Sequence, residues 1–284
     1  MKTYLTSLHP NIFVIRHGHP TPLTVYVSHH QKFVCVDQDI AFVGGLDVCL
    51  GRFDDGNHKL FDLERRTWLG VDYYNPHLTR PTSVSMPFED VIDRTNVPRM
   101  PWHDIDLEIR GWSARDVARN FTQRWNHHCD ISYPGRILDR LAVKKTREFH
   151  PDFITTGTCC CQVIRSLDLW SGASRTEASI YGAYLDAVSA AEHYIYIENQ
   201  YLSSNLAGGG VENRVFQRIL DKLRKKIFSK EVFRLIIVLP QPEEVGDDAK
   251  EILRWQYQTI NRGGSSLLEQ LKYQAFTHYF SFIA

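Results

Sequence analysis

Residues 29–45 read His29-His30-Gln31-Lys32-Phe33-Val34-Cys35-Val36-Asp37-Gln38-Asp39-Ile40-Ala41-Phe42-Val43-Gly44-Gly45. The β-branched and aromatic residues from Val25 to Val43 predict two strands, and the polar Asp37-Gln38-Asp39 run between them supplies turn chemistry. Gly44-Gly45 closes the unit. Because side chains alternate across a strand, His30 and Lys32 are expected to leave the same face. An imidazole there could attack phosphorus or carry a proton. An ammonium beside it would hold the non-bridging oxygens of one phosphate. Asp37 has the opposite parity and falls in the turn, so its expected part is that of an organising acceptor. A His-x-Lys pair alone is more often a solvated strand face than a site.

Downstream of this hairpin, Arg52 to Asp104 contains Pro76, Pro81, Pro87, Pro98 and Pro101 and no sustained periodicity. It predicts a long functional loop region, since structureless loops of this length are rare. Ser113 is positioned to cap a helix with Val117, Phe121 and Trp125 on one face and Arg115, Arg119 and Arg124 mostly outside it. Ser174-Arg175-Thr176-Glu177 has the form of a capping box before another helix. A strand over Tyr194 to Glu198, a Gly208-Gly209-Gly210 loop, a helix from about Val211 to Ile227 and a strand from Phe233 to Leu239 come next. A further helix is expected to end near Gly263-Gly264. Strand and helix in alternation predict an α/β layer fold.

The composition is that of a globular protein, with 43% hydrophobic and 23% charged residues in 284. No apolar run reaches the roughly 18 to 20 residues of a spanning helix, so any membrane contact is expected to be peripheral. Lysine plus arginine equals aspartate plus glutamate, 33 each, which gives no sign of a nucleic-acid partner. The six cysteines form no spaced framework, and a reducing, cytoplasmic setting fits them best. His127-His128-Cys129 lacks a second ligand pair at zinc-like spacing, so no metal site is expected. Cys159-Cys160-Cys161 is read as simply buried or as a lipidation run. The basic stretch from Arg214 to Lys230 is read as a solvated helix face, with an anionic-lipid contact as the sharper alternative.

The string His30-x-Lys32, four residues, Asp37, six residues, Gly44-Gly45 resembles the HKD signature of the phospholipase D superfamily. It continues as Leu46-Asp47 and Gly51-Arg52-Phe53-Asp54, in the manner of the eukaryotic enzymes. Pro98-Arg99-Met100-Pro101-Trp102-His103-Asp104, Ala114-Arg115-Asp116-Val117-Ala118 and Tyr194-Ile195-Tyr196-Ile197-Glu198-Asn199-Gln200-Tyr201 agree in order. The wording is closer to the animal and fungal lipid-regulated branch.

The resemblance implies an α-β-α layered sandwich, here a first lobe plus an incomplete second lobe, with residues 1–284 forming part of one catalytic domain. It implies hydrolysis of phosphatidylcholine to phosphatidic acid and choline, and transfer to alcohols, through a phosphohistidine. His30 would be the nucleophile, Lys32 the phosphate clamp and Asp37 their scaffold. Asp47, Trp102, His103, Glu198, Asn199 and Gln200 would line the substrate site; for Trp102 and His103 the alternative is a buried structural network, and for Glu198 it is a local cap or pair. Glu198 to Gln200 also lie at the C-terminal end of a predicted strand, where α/β sheets place ligand-binding groups. No cofactor is required by this chemistry. The resemblance allows an anionic phosphoinositide activator and small GTPase regulators, and it implies a phospholipid membrane surface as partner, with no nucleic acid.

Family enzymes carry two such signatures, and within these 284 residues there is one. The chain is therefore expected to be a fragment, truncated before the second motif and inactive alone. The alternatives are a single-signature phosphodiesterase or nuclease completed across a dimer, and a non-catalytic truncated product that binds lipid.

Overall fold

The computed structural model describes residues 2–16, 29–75, 86–132, 142, 159–172, 175–240 and 250–272. The expected strand start at Val25, the capping box serine Ser174 and the terminal run 279–284 lie outside these. The chain divides into two compact units, residues 1–163 with 169–174, and residues 164–168 with 175–284. That is a finer division than the one catalytic unit expected from sequence.

The first unit opens with helix α1 (Lys2–Leu8), which buries none of its residues. Strands β1 (Lys32–Val36), β2 (Ile40–Gly44) and β3 (Asp106–Arg110) form an antiparallel meander in that order. Lys32 faces Gly44, and Ile40 faces both Val36 and Arg110. Phe33, Cys35, Ala41, Val43 and Ile109 point to one side, where they pack with Ala114, Val117 and Val163. This is the period-two alternation of a sheet with one covered face. Strand β3 was not expected, although Asp106-Leu107-Glu108-Ile109-Arg110 alternates charged and apolar residues as a half-buried strand does.

Helix α2 (Trp112–Ser132) follows directly. It starts one residue before Ser113, because Gly111, at φ 78°, turns the chain and its carbonyl accepts the Arg115 amide at 3.2 Å. The buried face also differs from the expected one. Ala114, Arg115, Val117, Ala118 and Thr122 are buried, whereas Phe121 is exposed.

Between β2 and β3 the expected loop region has no strand or α-helix among the described residues, only a 3-10 turn over Gly70–Asp72. It is nonetheless packed, around a core that is aromatic and charged at once. Trp68 and Tyr73 are fully buried, with the Arg99 guanidinium 4.0 Å over the Trp68 ring and that of Arg94 4.3 Å over Tyr73. Arg94 makes two bonds to Asp90, at 2.8 and 2.6 Å. Asp62 accepts the amides of Arg66, Thr67 and Trp68. Side-chain carboxylates and guanidinia thus satisfy the backbone that an irregular segment leaves unpaired.

The second unit contains a short ribbon of β4 (Ser166–Leu167) and β5 (Glu177–Ala178), then α3 (Ser179–Ala190), β6 (Tyr194–Glu198), α4 (Val215–Phe228), β7 (Arg234–Val238), α5 (Lys250–Ile260) and α6 (Leu267–Lys272). Glu177 is in a strand and pairs with Arg165 at 2.7 Å, so it is not the third residue of a helix. Strands β6 and β7 are parallel, with Tyr194 opposite Arg234, and α4 lies between them in sequence, the connection parallel strands require. Phe216, Ile219, Leu220 and Leu223, at helical spacing, join Val188, Leu202, Leu206, Leu267 and Leu271 in the core. Three cations of the basic stretch are internally engaged: Lys222 donates to the Ser189 and Ala191 carbonyls, Arg224 to Gln270, and Lys226 to Glu231. A reciprocal capping box does occur, but at α6, where Glu269 accepts the Ser266 amide and Ser266 Oγ accepts the Glu269 amide.

Among the described residues no helix is long and apolar enough to cross a membrane. None of the six cysteines is in a disulfide, and Cys159, Cys160 and Cys161 are exposed, not buried.

Candidate functional site

The β1–β2 turn fixes where the signature residues end up. Asp37 and Gln38 have φ of 51° and 64°, and the Asp39 amide donates to the Val36 carbonyl at 3.1 Å. Two consecutive left-handed residues match the right-handed twist of a hairpin. Asp37 is exposed, and among the described residues its carboxylate accepts no hydrogen bond. Five residues of extended strand put it about 17 Å from Lys32. The structure therefore separates Asp37 from the His30–Lys32 pair, and the organising carboxylate of this turn is its neighbour Asp39. Asp39 is 2% exposed. It accepts from Arg115 Nη2 at 3.0 Å and Nε at 3.2 Å, while its carbonyl accepts the Gly111 amide at 3.0 Å. The hairpin is stapled to the first turn of α2 by a charge pair whose arginine the helical spacing places mostly outside the apolar face.

At the other end of β1, Lys32 Nζ lies 2.7 Å from His30 Nε2, 3.2 Å from the His30 carbonyl oxygen and 3.5 Å from Asp47 Oδ1. The two side chains meet, as the same-face reading expects. An ammonium has donors only, so pairing with it assigns His30 Nε2 as the acceptor and the ring proton to Nδ1. The nitrogen that would attack phosphorus thus keeps its lone pair, aimed at the cation that would bind the phosphoryl oxygens. Gln31, between them, turns to the opposite side, where its Oε1 accepts from Asn120 Nδ2 at 3.0 Å and Arg124 Nη1 at 3.3 Å, both on α2. Nothing in the periodicity pointed to Gln31, Asn120 or Arg124. The signal that could have found them is the parity rule itself, which sends the residue between two site residues into the core side.

The two glycines are required by close approach. A Cβ on Gly44 would lie 2.3 Å from the Ile105 carbonyl oxygen and 2.1 Å from Asp106 Oδ1. One on Gly45 would lie 2.1 Å from Asp104 Oδ1, the end of a side chain that can move. Gly44→Ala is expected to cost about 2–4 kcal/mol in urea unfolding, because backbone must shift, and Gly45→Ala clearly less. Equal costs would show that the β2–β3 approach is not the constraint.

Trp102, His103 and Asp104 enter through the packed loop. The Trp102 amide donates to Asp54 Oδ2 at 2.7 Å, its indole N–H donates to Asp104, and Arg52 stacks 3.9 Å over its ring. Asp104, beside Gly45, lies at the Lys32 end of the sheet. His103 is exposed, with its ring 5.7 Å from that of His58. Burial alone would raise the Asp54 carboxyl. Hydrogen bonds from His58, the Trp102 amide, Arg99 and the Asp55 amide outweigh it and hold its pKa down to about 2. A carboxyl depressed in the folded state contributes stability that is present above its unfolded value, about 3.9, and lost as pH falls through the folded one. Acid titration is therefore expected to weaken this loop between about pH 4 and pH 2, and the Asp54→Asn variant to lose that part of the acid dependence. An unchanged acid profile in the variant would place the titration elsewhere.

Glu198, Asn199 and Gln200 belong to the second unit, at the end of β6. Glu198 Oε2 accepts from Tyr196 Oη at 2.8 Å, and that bond raises the Tyr196 pKa. The Asn199 amide donates to the Val238 carbonyl at 3.3 Å and its side chain to the Tyr201 carbonyl at 2.7 Å. Gln200 is exposed.

A family model described as Phospholipase D matches residues 16–282. Phospholipase D A of Dictyostelium discoideum is 44% identical over 274 residues, which cover 95% of this chain and 21% of that protein. Phospholipase D1 of Schizosaccharomyces pombe is 37% identical over 300 residues, covering 95% of this chain and 22% of its own length. Phospholipase D2 of Bos taurus is 36% identical over 322 residues, covering all of this chain and 34% of its own. The chain thus spans between about a fifth and a third of the length of these relatives.

Proposed function

Because the chain belongs to the phospholipase D family, we propose that it supplies the first half of a two-part phosphodiester-transfer site acting on phosphatidylcholine. The observation that carries this reading is the 2.7 Å contact between Lys32 Nζ and His30 Nε2. In the first step the Nε2 lone pair attacks phosphorus and the P–O bond to choline breaks. The leaving oxygen takes a proton from a general acid of a second His-x-Lys motif, which these 284 residues do not contain. In the second step water attacks phosphorus, loses its proton to that same group, and the P–N bond breaks to release phosphatidic acid. If an alcohol takes the place of water, the product is a new phosphatidyl ester. Lys32 moves from Nε2 to the non-bridging oxygens as substrate arrives, which frees the nucleophile and neutralises the charge that builds on phosphorus.

A lipid substrate places this reaction at a phospholipid surface. The family resemblance adds an anionic phosphoinositide or a small GTPase as the class of regulator, and the cysteine pattern adds peripheral attachment on the cytoplasmic side. The test is a graft. Residues 1–284 replace the matching segment of the Dictyostelium relative, and choline release from phosphatidylcholine vesicles is followed. Turnover within about tenfold of the parent is the expected result. An inactive but folded graft would overturn the assignment of the half-site to this chain, as would choline release by the isolated chain at a dimer's mass.

A further inference from the structure

We propose that Asp47 makes this half-site selective for phosphodiesters by opposing a second negative charge on the bound phosphate. The inference rests on the phosphodiester-transfer reading of His30 and Lys32 and goes beyond it. An ammonium has three protons, and here three acceptors surround it: His30 Nε2 at 2.7 Å, the His30 carbonyl at 3.2 Å and Asp47 Oδ1 at 3.5 Å. Among the described residues no other carboxylate comes within ion-pair range of Lys32. The Lys32 side chain is 13% exposed and that of Asp47 47%, so the carboxylate is the solvent-facing partner of a nearly enclosed cation. A phosphate that enters to meet Lys32 also meets Asp47.

A purely attractive phosphate clamp would have no such carboxylate. A diester carries one negative charge, whereas a monoester carries close to two once the pH is well above its second pKa of about 6. Asp47 therefore acts on a diester once and on a monoester twice. At a separation of about 5 Å and an effective dielectric between that of a protein surface and water, one such interaction is worth roughly tenfold in affinity. Discrimination of that size suits the reaction proposed above, whose substrate is a diester and whose hydrolytic product is a monoester that must leave. Asp47 is a positioning residue for Lys32 and a selectivity residue towards the ligand.

The experiment uses the chain itself, with dimethyl phosphate and methyl phosphate as probes at about pH 8. Binding is read from the imidazole resonances of His30 in proton–nitrogen NMR spectra, assigned by comparison with His30→Asn. In Asp47→Asn, affinity for methyl phosphate is expected to rise roughly tenfold more than affinity for dimethyl phosphate, while Asp47→Glu keeps the wild-type ratio. Thermal unfolding of both variants shows whether the fold is retained, and the half-exposed Asp47 gives no reason for it to fail. If both probes gain equally in Asp47→Asn, the selectivity role is overturned and the half-site stands. If neither probe moves the His30 resonances in any variant, the phosphate-binding reading fails and this proposal fails with it.

Discussion

His30→Asn, in the grafted enzyme described above, is expected to abolish choline release and transfer to a primary alcohol together, each by at least about three orders of magnitude. Asparagine is close to histidine in size and can still accept a hydrogen bond from Lys32, so the local fold should persist. What it lacks is a nucleophilic ring nitrogen. In the proposed reaction both products pass through the same attack on phosphorus, so removing that attack removes both. The comparison of the two activities is what makes the test sharp. If hydrolysis falls while transfer to alcohol survives, His30 activates water in the second step and the nucleophile lies elsewhere. Should both survive, the reading of the pair at 2.7 Å as nucleophile and clamp is wrong.

The second large effect is on stability. Asp39→Ala is expected to cost about 3–5 kcal/mol in urea unfolding of this chain, because it leaves the Arg115 guanidinium buried without its carboxylate. The side chains of Asp39 and Arg115 are 3% and 2% exposed, so water cannot replace the lost partner. That is a large part of the 5–15 kcal/mol that holds a typical domain together. The neighbouring pair on the same helix gives the control. Arg119 and Asp116 also form an ion pair, but their side chains are 64% and 48% exposed, and Asp116→Ala should change stability by no more than about 1 kcal/mol. The double replacement of Asp39 and Arg115 by apolar residues of similar volume should recover much of the loss, since no buried charge then remains unpaired. If Asp39→Ala costs no more than Asp116→Ala, the hairpin is held to α2 by its apolar contacts alone.

These two residues, His30 and Asp39, lie beyond opposite ends of strand β1, and they differ in how far the sequence revealed them. His30 and Lys32 were legible because the chemistry and the two-residue spacing coincide in a short local string. The hairpin was legible as well, from strand-forming residues on either side of a polar turn. Asp37 drew attention as the third member of the signature, yet in the folded chain it is an exposed turn residue with a positive φ. Its neighbour Asp39 does the holding, through a helix residue 76 positions away. No local pattern announces such a partner. Arg115 looked like one more surface cation on an amphipathic helix.

The same contrast runs through the rest of the chain. Strand β6 was legible to its residue bounds, and β7 and α4 to within a few residues, because burial on one side imposes period two on strands and period 3.6 on helices. The region from Arg52 to Asp104 was legible only as aperiodic. Its order comes from Asp54, Asp62, Arg94 and Arg99 packed against Trp68 and Tyr73, contacts that join residues up to 48 positions apart. The sequence by itself determined the α/β class, the hairpin and the meeting of His30 with Lys32, since each depends on neighbours within a few residues. Only the tertiary structure decided which charges are buried, which carboxylate organises the turn and which acceptors surround the Lys32 ammonium. Those outcomes depend on distances across the fold, and a charged side chain carries no mark in the sequence that tells whether its partner will be water or another buried charge.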